Sequence, residues 1–422
     1  MIFSLSTNTQ AILLLTAPLI AGRGDSSYDL LKPSEYKRLA RYFIEIKKQP
    51  ADLLSSESNS LIESCGHLVE KERMERLLGR GFLLSQVVER WRTRSIWVVS
   101  RADAEYPRRL KKALKGDAPP ILYGCGDISL LDTGGLAVVG PRKVDKALID
   151  YTTKIGQLCA KYNRTIISGG AKGVDLAAMT SAQANGGFVC NVMAENLNKA
   201  AVSRDNREHI LEKKLVLVSA YDPNAGFNVG HAMQRNKLIY ALSEAALVVN
   251  SDVNRGGTWA GAIEQLEKLN LVPIYVRSTG EASQGLDMLR SRGALLWPNP
   301  LSHDELSEVF NKQCTVNNLS SMQVNGSLFD GGYNNVATHI NLQSESISSE
   351  PIQFGEQINP AEKVFSTVRE VLLGLLIEPM SEQEIASELM ISRSQANTWL
   401  VRLINEDILL KLTRPVRYVV KS

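Results

Sequence analysis

Residues 136–175 read LAVVGPRKVDKALIDYTTKIGQLCAKYNRTIISGGAKGVD, and this stretch decides the fold. Two apolar runs of strand length, 136–140 and 164–168, flank a segment at 148–162 whose pattern predicts a helix. Each run ends in a glycine-rich turn. A strand, a helix and a second strand in this order form a βαβ unit, in which the two strands are parallel.

The same alternation continues outward from Ile96 to about Pro300. Further strand-length apolar runs lie at 96–99, 187–193, 214–219, 246–250, 271–276 and 294–297, with helical patterns between most of them. Strands that are apolar throughout are typical of a parallel sheet covered by helices on both faces. The sequence therefore predicts an α/β fold for residues 95–310, a doubly wound Rossmann-like sheet.

Three other regions complete the chain. Residues 1–94 carry apolar positions at three- and four-residue steps, which predicts a helical N-terminal domain. Residues 311–359 are rich in Asn, Ser, Gln and Gly without any period, which predicts a flexible linker. Residues 360–422 combine three helical patterns with two short strands, the layout of a winged helix.

The composition excludes several classes of protein. The 48 Lys and Arg residues nearly balance 45 Asp and Glu residues, which excludes a histone-like polycation but permits a local basic groove. The five scattered cysteines argue against a disulfide framework and favour the cytoplasm. The apolar run 11–21 is about half the length that crosses a bilayer. We therefore predict no membrane contact and a buried helix there, capped by Ser6, Thr7 or Asn8.

Three glycine-rich turns, 139–143, 168–175 and 255–258, each follow a predicted strand and open a predicted helix. In an open parallel sheet such turns lie along the carboxyl edge, where ligands bind. Their N–H groups favour anions, and glycine lets the backbone approach a phosphate closely. Basic residues stand beside all three turns: Arg142, Lys143, Lys172 and Arg255. Together they predict an anion-binding edge, whereas one such turn alone is equally consistent with an ordinary tight turn.

A fourth candidate is the predicted helix start at 234–237, where Arg235 and Lys237 flank Asn236. Cations at this position suit phosphate oxygens. Taken alone, however, the motif is more simply interpreted as a solvated helix start.

Catalytic signals are sparse. SGGAKGVD lacks the P-loop pattern and VVGPRK lacks GxGxxG, which excludes the usual NTPase and dinucleotide sites. The five histidines show no metal-ligand spacing, and no G-x-S-x-G elbow occurs. Asp175 most simply caps its helix, although it could act as a general base on a bound nucleoside. We predict no catalytic residue, no metal and no cofactor.

The C-terminal unit offers a second possible contact surface. Its predicted recognition helix opens with Ser392, Arg393, Ser394 and Gln395, a plausible set of phosphate or base contacts. Acidic and basic residues roughly cancel in this unit, whereas a duplex reader usually shows a strong basic footprint. A protein contact is at least as consistent with the sequence as DNA binding.

Taken together, these motifs resemble the DNA-processing protein A (DprA/Smf) family. The matching stretches include LAVVGPRKV, TIISGGAKGVD, QRNKLIYALSEAALVVNS, GGTWAGAIEQ and QGLDMLRSRGA, in the family's order. The resemblance implies a non-enzymatic protein that binds single-stranded DNA through its Rossmann-like domain and forms a homodimer. It also implies a protein that presents the strand to a RecA-type recombinase, notably in natural transformation.

By position, the resemblance and the turns together predict these DNA- or phosphate-binding residues: Gly140, Arg142, Lys143, Ser168, Gly169, Gly170, Lys172, Gly173, Arg235, Asn236, Lys237, Gly256, Gly257 and Thr258. Three departures from the family's usual pattern stand out. Pro141 replaces a serine, Lys172 replaces an arginine and thereby loses the bidentate fork, and Ala232 replaces an aromatic residue. These departures suggest a divergent branch with altered DNA affinity, and a role against foreign DNA stays open.

Two other interpretations also stay open. A nucleotide-binding enzyme or sensor related to the LOG phosphoribohydrolases would use the same sheet edge, but the stretch from Gly256 to Glu264 matches PGGxGTxxE only in part. A transcriptional regulator would instead read duplex DNA with the winged helix.

Overall fold

The computed structural model describes residues 5–20, 29–311, 369, 372–376, 378–388, 396–397, 399–400, 403–404, 406, 408–413 and 416–421. They fall into two compact units, a large one that ends at residue 311 and a small one within 369–421. The predicted linker 311–359 lies outside the described residues apart from residue 311, as does the start of the predicted recognition helix, Ser392 to Gln395.

The large unit is built on a nine-stranded sheet. Its strands are β1 (Trp97–Ser100), β2 (Ile121–Gly126), β3 (Leu136–Val139), β4 (Ile166–Ser168), β5 (Val189–Met193), β6 (Leu215–Ser219), β7 (Ala245–Val248), β8 (Ile274–Val276) and β9 (Leu295–Leu296). The spatial order is β1-β2-β6-β5-β4-β3-β7-β8-β9. From β6 to β9 every neighbouring pair is parallel, with register pairs such as Leu136 with Ile166 and with Ala245.

The helices of the large unit are α1 (Thr7–Thr16), α2 (Pro33–Glu45), α3 (Ser58–Ser64), α4 (Lys71–Leu78), α5 (Gly81–Arg92), α6 (Arg108–Leu114), α7 (Lys146–Lys161), α8 (Val174–Ala184), α9 (Leu197–Ala200), α10 (Arg204–Leu211), α11 (Val229–Leu242), α12 (Gly256–Glu264), α13 (Gln284–Ser291) and α14 (His303–Asn311). Short 3₁₀ turns lie at Pro50–Leu54, Lys115–Asp117 and Ile128–Asp132, and a π turn at Gln265–Leu269 follows α12.

The sheet is covered on both faces. Alternate residues of a strand point to opposite sides, so Leu136 and Val138 join one apolar cluster, whereas Ala137 and Val139 join the other. Helices α7 and α8 cover the first face, and α6, α11, α12 and α13 cover the second. The predicted doubly wound parallel sheet is therefore confirmed.

The sequence interpretation missed one strand. Strand β2 lies antiparallel to both β1 and β6 and extends the parallel sheet at one edge. Its sequence, ILYGCG, contains two glycines, and the register places Gly124 against the ring of Trp97, where a β-carbon would lie 2.3 Å from Cζ2. Glycine is unusual in a strand interior, and here it makes room for the indole.

The N-terminal helices pack against the α7 face of the sheet in one continuous core, so they share a compact unit with it. The predicted buried helix is α1, and Ser6 caps it by accepting a hydrogen bond from the Thr9 N–H at 3.1 Å. Buried Arg80 closes its other end by donating to the carbonyls of Ala17 and Leu13 at 3.0 and 3.4 Å. Among the described residues, no helix has the length and apolar character needed to span a membrane.

The small unit contains helix α15 (Glu382–Glu388) and an antiparallel hairpin of β10 (Leu409–Thr413) and β11 (Val416–Val420). Leu372, Leu376, Ile385, Leu400 and Tyr418 belong to its apolar cluster. A helix packed on a terminal hairpin agrees with the predicted winged-helix layout in the part that the structure describes.

Candidate functional site

The first two glycine-rich turns touch each other at the carboxyl edge of the sheet. We define loop 1 as residues 140–145, after β3, and loop 2 as residues 169–173, after β4. The Val174 N–H donates to the Pro141 carbonyl at 3.4 Å. Gly173 has φ +86°, and a β-carbon there would lie 2.4 Å from the Pro141 oxygen. The contact between the loops therefore requires glycine at position 173.

A cavity of about 510 Å³ opens beside this contact. Six predicted site residues line it: Arg142, Lys143, Gly169, Gly170, Lys172 and Arg235. It lies over the ends of β3, β4 and β5, to one side of the place between β3 and β7 where the strand order reverses. The cavity therefore combines segments that are almost a hundred residues apart in sequence.

Three exposed cations surround the cavity. Arg142 and Lys143 project from loop 1 and Lys172 projects from loop 2. None of these three side chains has an ion-pair partner in the described part of the chain, unlike most of the arginines that pack into the fold. An unpaired, hydrated cation needs little desolvation to meet a phosphate oxygen.

Arg235 forms the floor of the cavity rather than its rim. The residue is 7% exposed, and its Nη1 donates to the Val192 carbonyl at 3.0 Å. Burial lowers the pKa of the Arg235 guanidinium, and the nearby carboxylate of Asp175 opposes that effect. Arg235 thus holds loop 2 against β5 and adds positive potential from below.

Ser168 and Asp175 support loop 2 from inside the protein. The buried Ser168 hydroxyl donates to the Val138 carbonyl at 2.7 Å and so links β4 to β3. Asp175 lies inside α8, whose N-cap is Gly173, so the predicted capping role is wrong. Burial raises the pKa of Asp175, while Arg235 and the backbone N–H groups of Ala171 and Gly169 lower it. Some loop 2 amides therefore face a carboxylate of the protein itself.

The remaining predicted residues lie outside the cavity. Gly140 packs against Val174, since a β-carbon there would lie 2.5 Å from Cγ2. Lys237 is 8% exposed and forms an ion pair with Glu264 at 3.0 Å. Asn236 donates from Nδ2 to the Gly257 carbonyl at 3.2 Å, which ties the third turn, Gly256 to Thr258, to α11. The structure thus brings together loops 1 and 2 with Arg235, but not the third turn.

Sequence reasoning missed one wall of the cavity. Residues 191, 193–196 and Phe227 line it opposite the cations. Asn191 is a polar residue inside the otherwise apolar strand β5, and Phe227 is an aromatic residue in the glycine- and asparagine-rich segment NAGFNVGH. Phe227 is 57% exposed. Both signals are visible in the sequence but do not indicate which cavity they would share.

Comparison with known proteins agrees with this geometry. The model of the family described as DNA recombination-mediator protein A matches residues 97–308, half of the chain, which includes all nine strands and both loops. The chain belongs to this family. The DprA/Smf resemblance of the sequence motifs is thereby confirmed.

Curated relatives support the same family. The chain is 29% identical over 205 residues to the DNA processing protein DprA of Bacillus subtilis, covering 45% of this chain and 65% of the relative. It is 31% identical over 208 residues to the protein Smf of Escherichia coli, covering 47% of this chain and 54% of the relative. The matches thus span between about half and two thirds of these relatives' length.

A solved structure shows the same fold. The X-ray structure of DNA processing protein A from Streptococcus pneumoniae superposes with a TM-score of 0.54 and 20% sequence identity, covering 72% of this chain and 98% of that one. The two proteins therefore share a fold over most of the large unit.

Proposed function

We propose that this DprA/Smf protein binds single-stranded DNA without catalysis and mediates recombination. The observation that carries the proposal is the cavity formed by loops 1 and 2, where Arg142, Lys143 and Lys172 are exposed and unpaired among the described residues. Phosphate contacts of this kind are independent of base sequence. Family membership supports the recombination role.

The proposal includes partners that the family resemblance implies. The protein would act as a homodimer in the cytoplasm and present the bound strand to a RecA-type recombinase, during natural transformation or in the handling of foreign DNA. Neither a metal nor a nucleotide cofactor would be needed. Within the described residues, no three His, Cys, Asp or Glu side chains form a group that could hold a metal ion.

The third turn and Asn236 would contact the strand, if at all, outside the cavity. Lys237 would contribute through its ion pair with Glu264, by holding α11 against α12. We therefore assign the direct phosphate contacts to Arg142, Lys143, Lys172 and the exposed amides of loops 1 and 2.

The proposal is tested by fluorescence anisotropy with a labelled oligo-dT in a salt series, without nucleotide or metal. We expect binding whose log affinity falls linearly with log salt concentration, by about 0.7 for each phosphate neutralised on a single strand. A blunt duplex of equal length should bind more weakly. Absence of oligo-dT binding at low salt would overturn the proposal.

The cavity volume also supports a second candidate, a sensor or enzyme for a small nucleotide. Its 510 Å³ lies within the range of about 300–1,000 Å³ that is common for small-molecule pockets. Thermal-shift measurements with nucleoside monophosphates and dinucleotides distinguish the two candidates. A large upward shift with one nucleotide, together with no oligonucleotide binding, would favour the second.

A further inference from the structure

One wall of the cavity does not match phosphate binding. Glu195 and Asn191 line the same space as Arg142, Lys143 and Lys172. A carboxylate at this place repels a sugar–phosphate backbone, so phosphate attraction gives no reason for it. The Glu195 carboxylate accepts one hydrogen bond, from Asn196 Nδ2 at 2.7 Å, and retains further lone pairs.

The Asn191 side chain points in the same direction chemically. Its Oδ1 atom is buried and has no hydrogen-bond partner in the described part of the structure. The amide packs closely on loop 2, since a β-carbon on Gly170 would lie 2.9 Å from both Oδ1 and Nδ2. A buried amide without partners is costly unless a ligand satisfies it. The wall thus offers an amide and a carboxylate to a ligand that carries both acceptors and donors.

We propose that this wall reads the Watson–Crick edge of a guanine base within the bound strand. The inference rests on the proposed function, because the phosphates on loops 1 and 2 would place the base. Guanine carries two neighbouring donors, N1–H and the N2 amino group, which match the two oxygens of the Glu195 carboxylate. Its O6 accepts a hydrogen bond, which the Asn191 amide supplies as a donor. None of the other three DNA bases presents two neighbouring donors on this edge.

Phe227 completes the subsite. Its ring is more than half exposed at the cavity, where it offers a flat apolar face to a base. Stacking on an aromatic side chain tolerates every base, so it holds a base without selecting it. Selection then rests on Glu195 and Asn191, and the protein combines general strand binding with a preference for guanine at one position.

The test uses four labelled twelve-nucleotide oligo-dT probes whose central residue is dT, dA, dG or deoxyinosine. Deoxyinosine is the matched probe because its base lacks only the N2 amino group of guanine. We expect the dG probe to bind about fivefold or more tightly than the deoxyinosine probe, the effect of one base-edge contact. Glu195→Gln, which keeps the shape of the side chain, should remove this preference. Glu208→Gln removes the same charge from exposed α10 and should leave the preference intact.

Each result has one meaning. If the dT probe is not bound at all, the proposed function fails. If the dT probe is bound but dG and deoxyinosine bind equally, only the guanine subsite is overturned. If Glu195→Gln strengthens all four probes equally, the carboxylate merely repels phosphate and the inference is also overturned. Free dGMP that displaces the dG probe at concentrations comparable to the probe would assign the site to a free guanine nucleotide and overturn reading within a strand.

Discussion

The guanidinium of Arg235 occupies the space that a side chain on Gly169 would need. A β-carbon at Gly169 would lie 1.3 Å from Nη1 of Arg235, and the same Nη1 donates to the Val192 carbonyl at 3.0 Å. A residue of α11 therefore fixes loop 2 relative to β5 from beneath the cavity. The glycine is required for close packing against a buried cation, and it need not be there to expose its own amide.

Gly169→Ala is expected to destabilise the protein and weaken strand binding. The methyl group would force Arg235 away from the Val192 carbonyl, and overpacking of this kind costs about 1–3 kcal/mol. Urea denaturation measures the free energy of unfolding, and anisotropy with oligo-dT measures the affinity. Gly81→Ala is the control, because a β-carbon there meets nothing within 4 Å.

The double variant Gly169→Ala/Arg235→Ala separates packing from charge. Removing the arginine frees the space, so the stability cost of the alanine at position 169 should largely disappear in that background. Strictly additive costs of unfolding would show that the two residues do not compete for one space.

Arg142→Glu and Lys172→Glu are each expected to weaken oligo-dT binding and reduce the dependence of log affinity on log salt. Each reversal leaves at least one phosphate without its cation, and the slope should become less steep by about 0.7 for each such phosphate. Lys161→Glu changes the net charge equally at the far end of α7 and should leave the slope unchanged. A parental slope in both loop variants would contradict the assignment of the cavity.

Lys237→Met should lower stability without changing strand binding. Lys237 is buried against Glu264, and its removal leaves that carboxylate without its charged partner, at a cost of about 1–3 kcal/mol. Urea denaturation and the salt series give the two readouts. A shallower salt dependence in this variant would show that Lys237 contacts phosphate after all.

Phe227→Ala should weaken oligo-dT binding by about five- to a hundredfold, since stacking of one base on an aromatic ring contributes about 1–3 kcal/mol. Phe227→Trp should retain the affinity. Val229→Ala is the control, because Val229 is equally exposed at the start of the same helix region but does not line the cavity. Equal binding by the alanine variants at 227 and 229 would rule out stacking at this position.

Acid should remove the stabilisation that Glu35 gives to the N-terminal helices. The Arg73 guanidinium, which donates to Glu35 at 2.9 Å, holds the pKa of that carboxyl below its ordinary value of 4.5. The folded protein therefore binds this proton more weakly than the unfolded chain, so the stabilisation is present above pH 4.5 and is lost as pH falls through the lowered pKa. The free energies of unfolding of the parent and Glu35→Gln should differ most near neutral pH and converge in acid. Glu75→Gln is the charge-matched control, and a difference that grows in acid would contradict the ion pair.

The sequence by itself determined the alternation of strands and helices and the place of the glycine turns after β3 and β4. These features follow from local periodicity and from backbone conformations that glycine alone adopts easily, so the parallel sheet and the shared edge of loops 1 and 2 were predictable. Strand β2 escaped because its glycines serve a contact with Trp97 on the neighbouring strand.

Only the tertiary structure decided which charges face solvent. Arg235 and Lys237 stand side by side with Asn236 in a motif that suggests phosphate contacts, yet α11 is seated on the sheet so that both cations are buried. Asn191, Glu195 and Phe227 reach one cavity because the parallel order of β3, β4 and β5 stacks their carboxyl ends side by side. A sequence records which side chains exist, but the seating of each helix on the sheet decides whether a charge meets water, a carbonyl or a ligand.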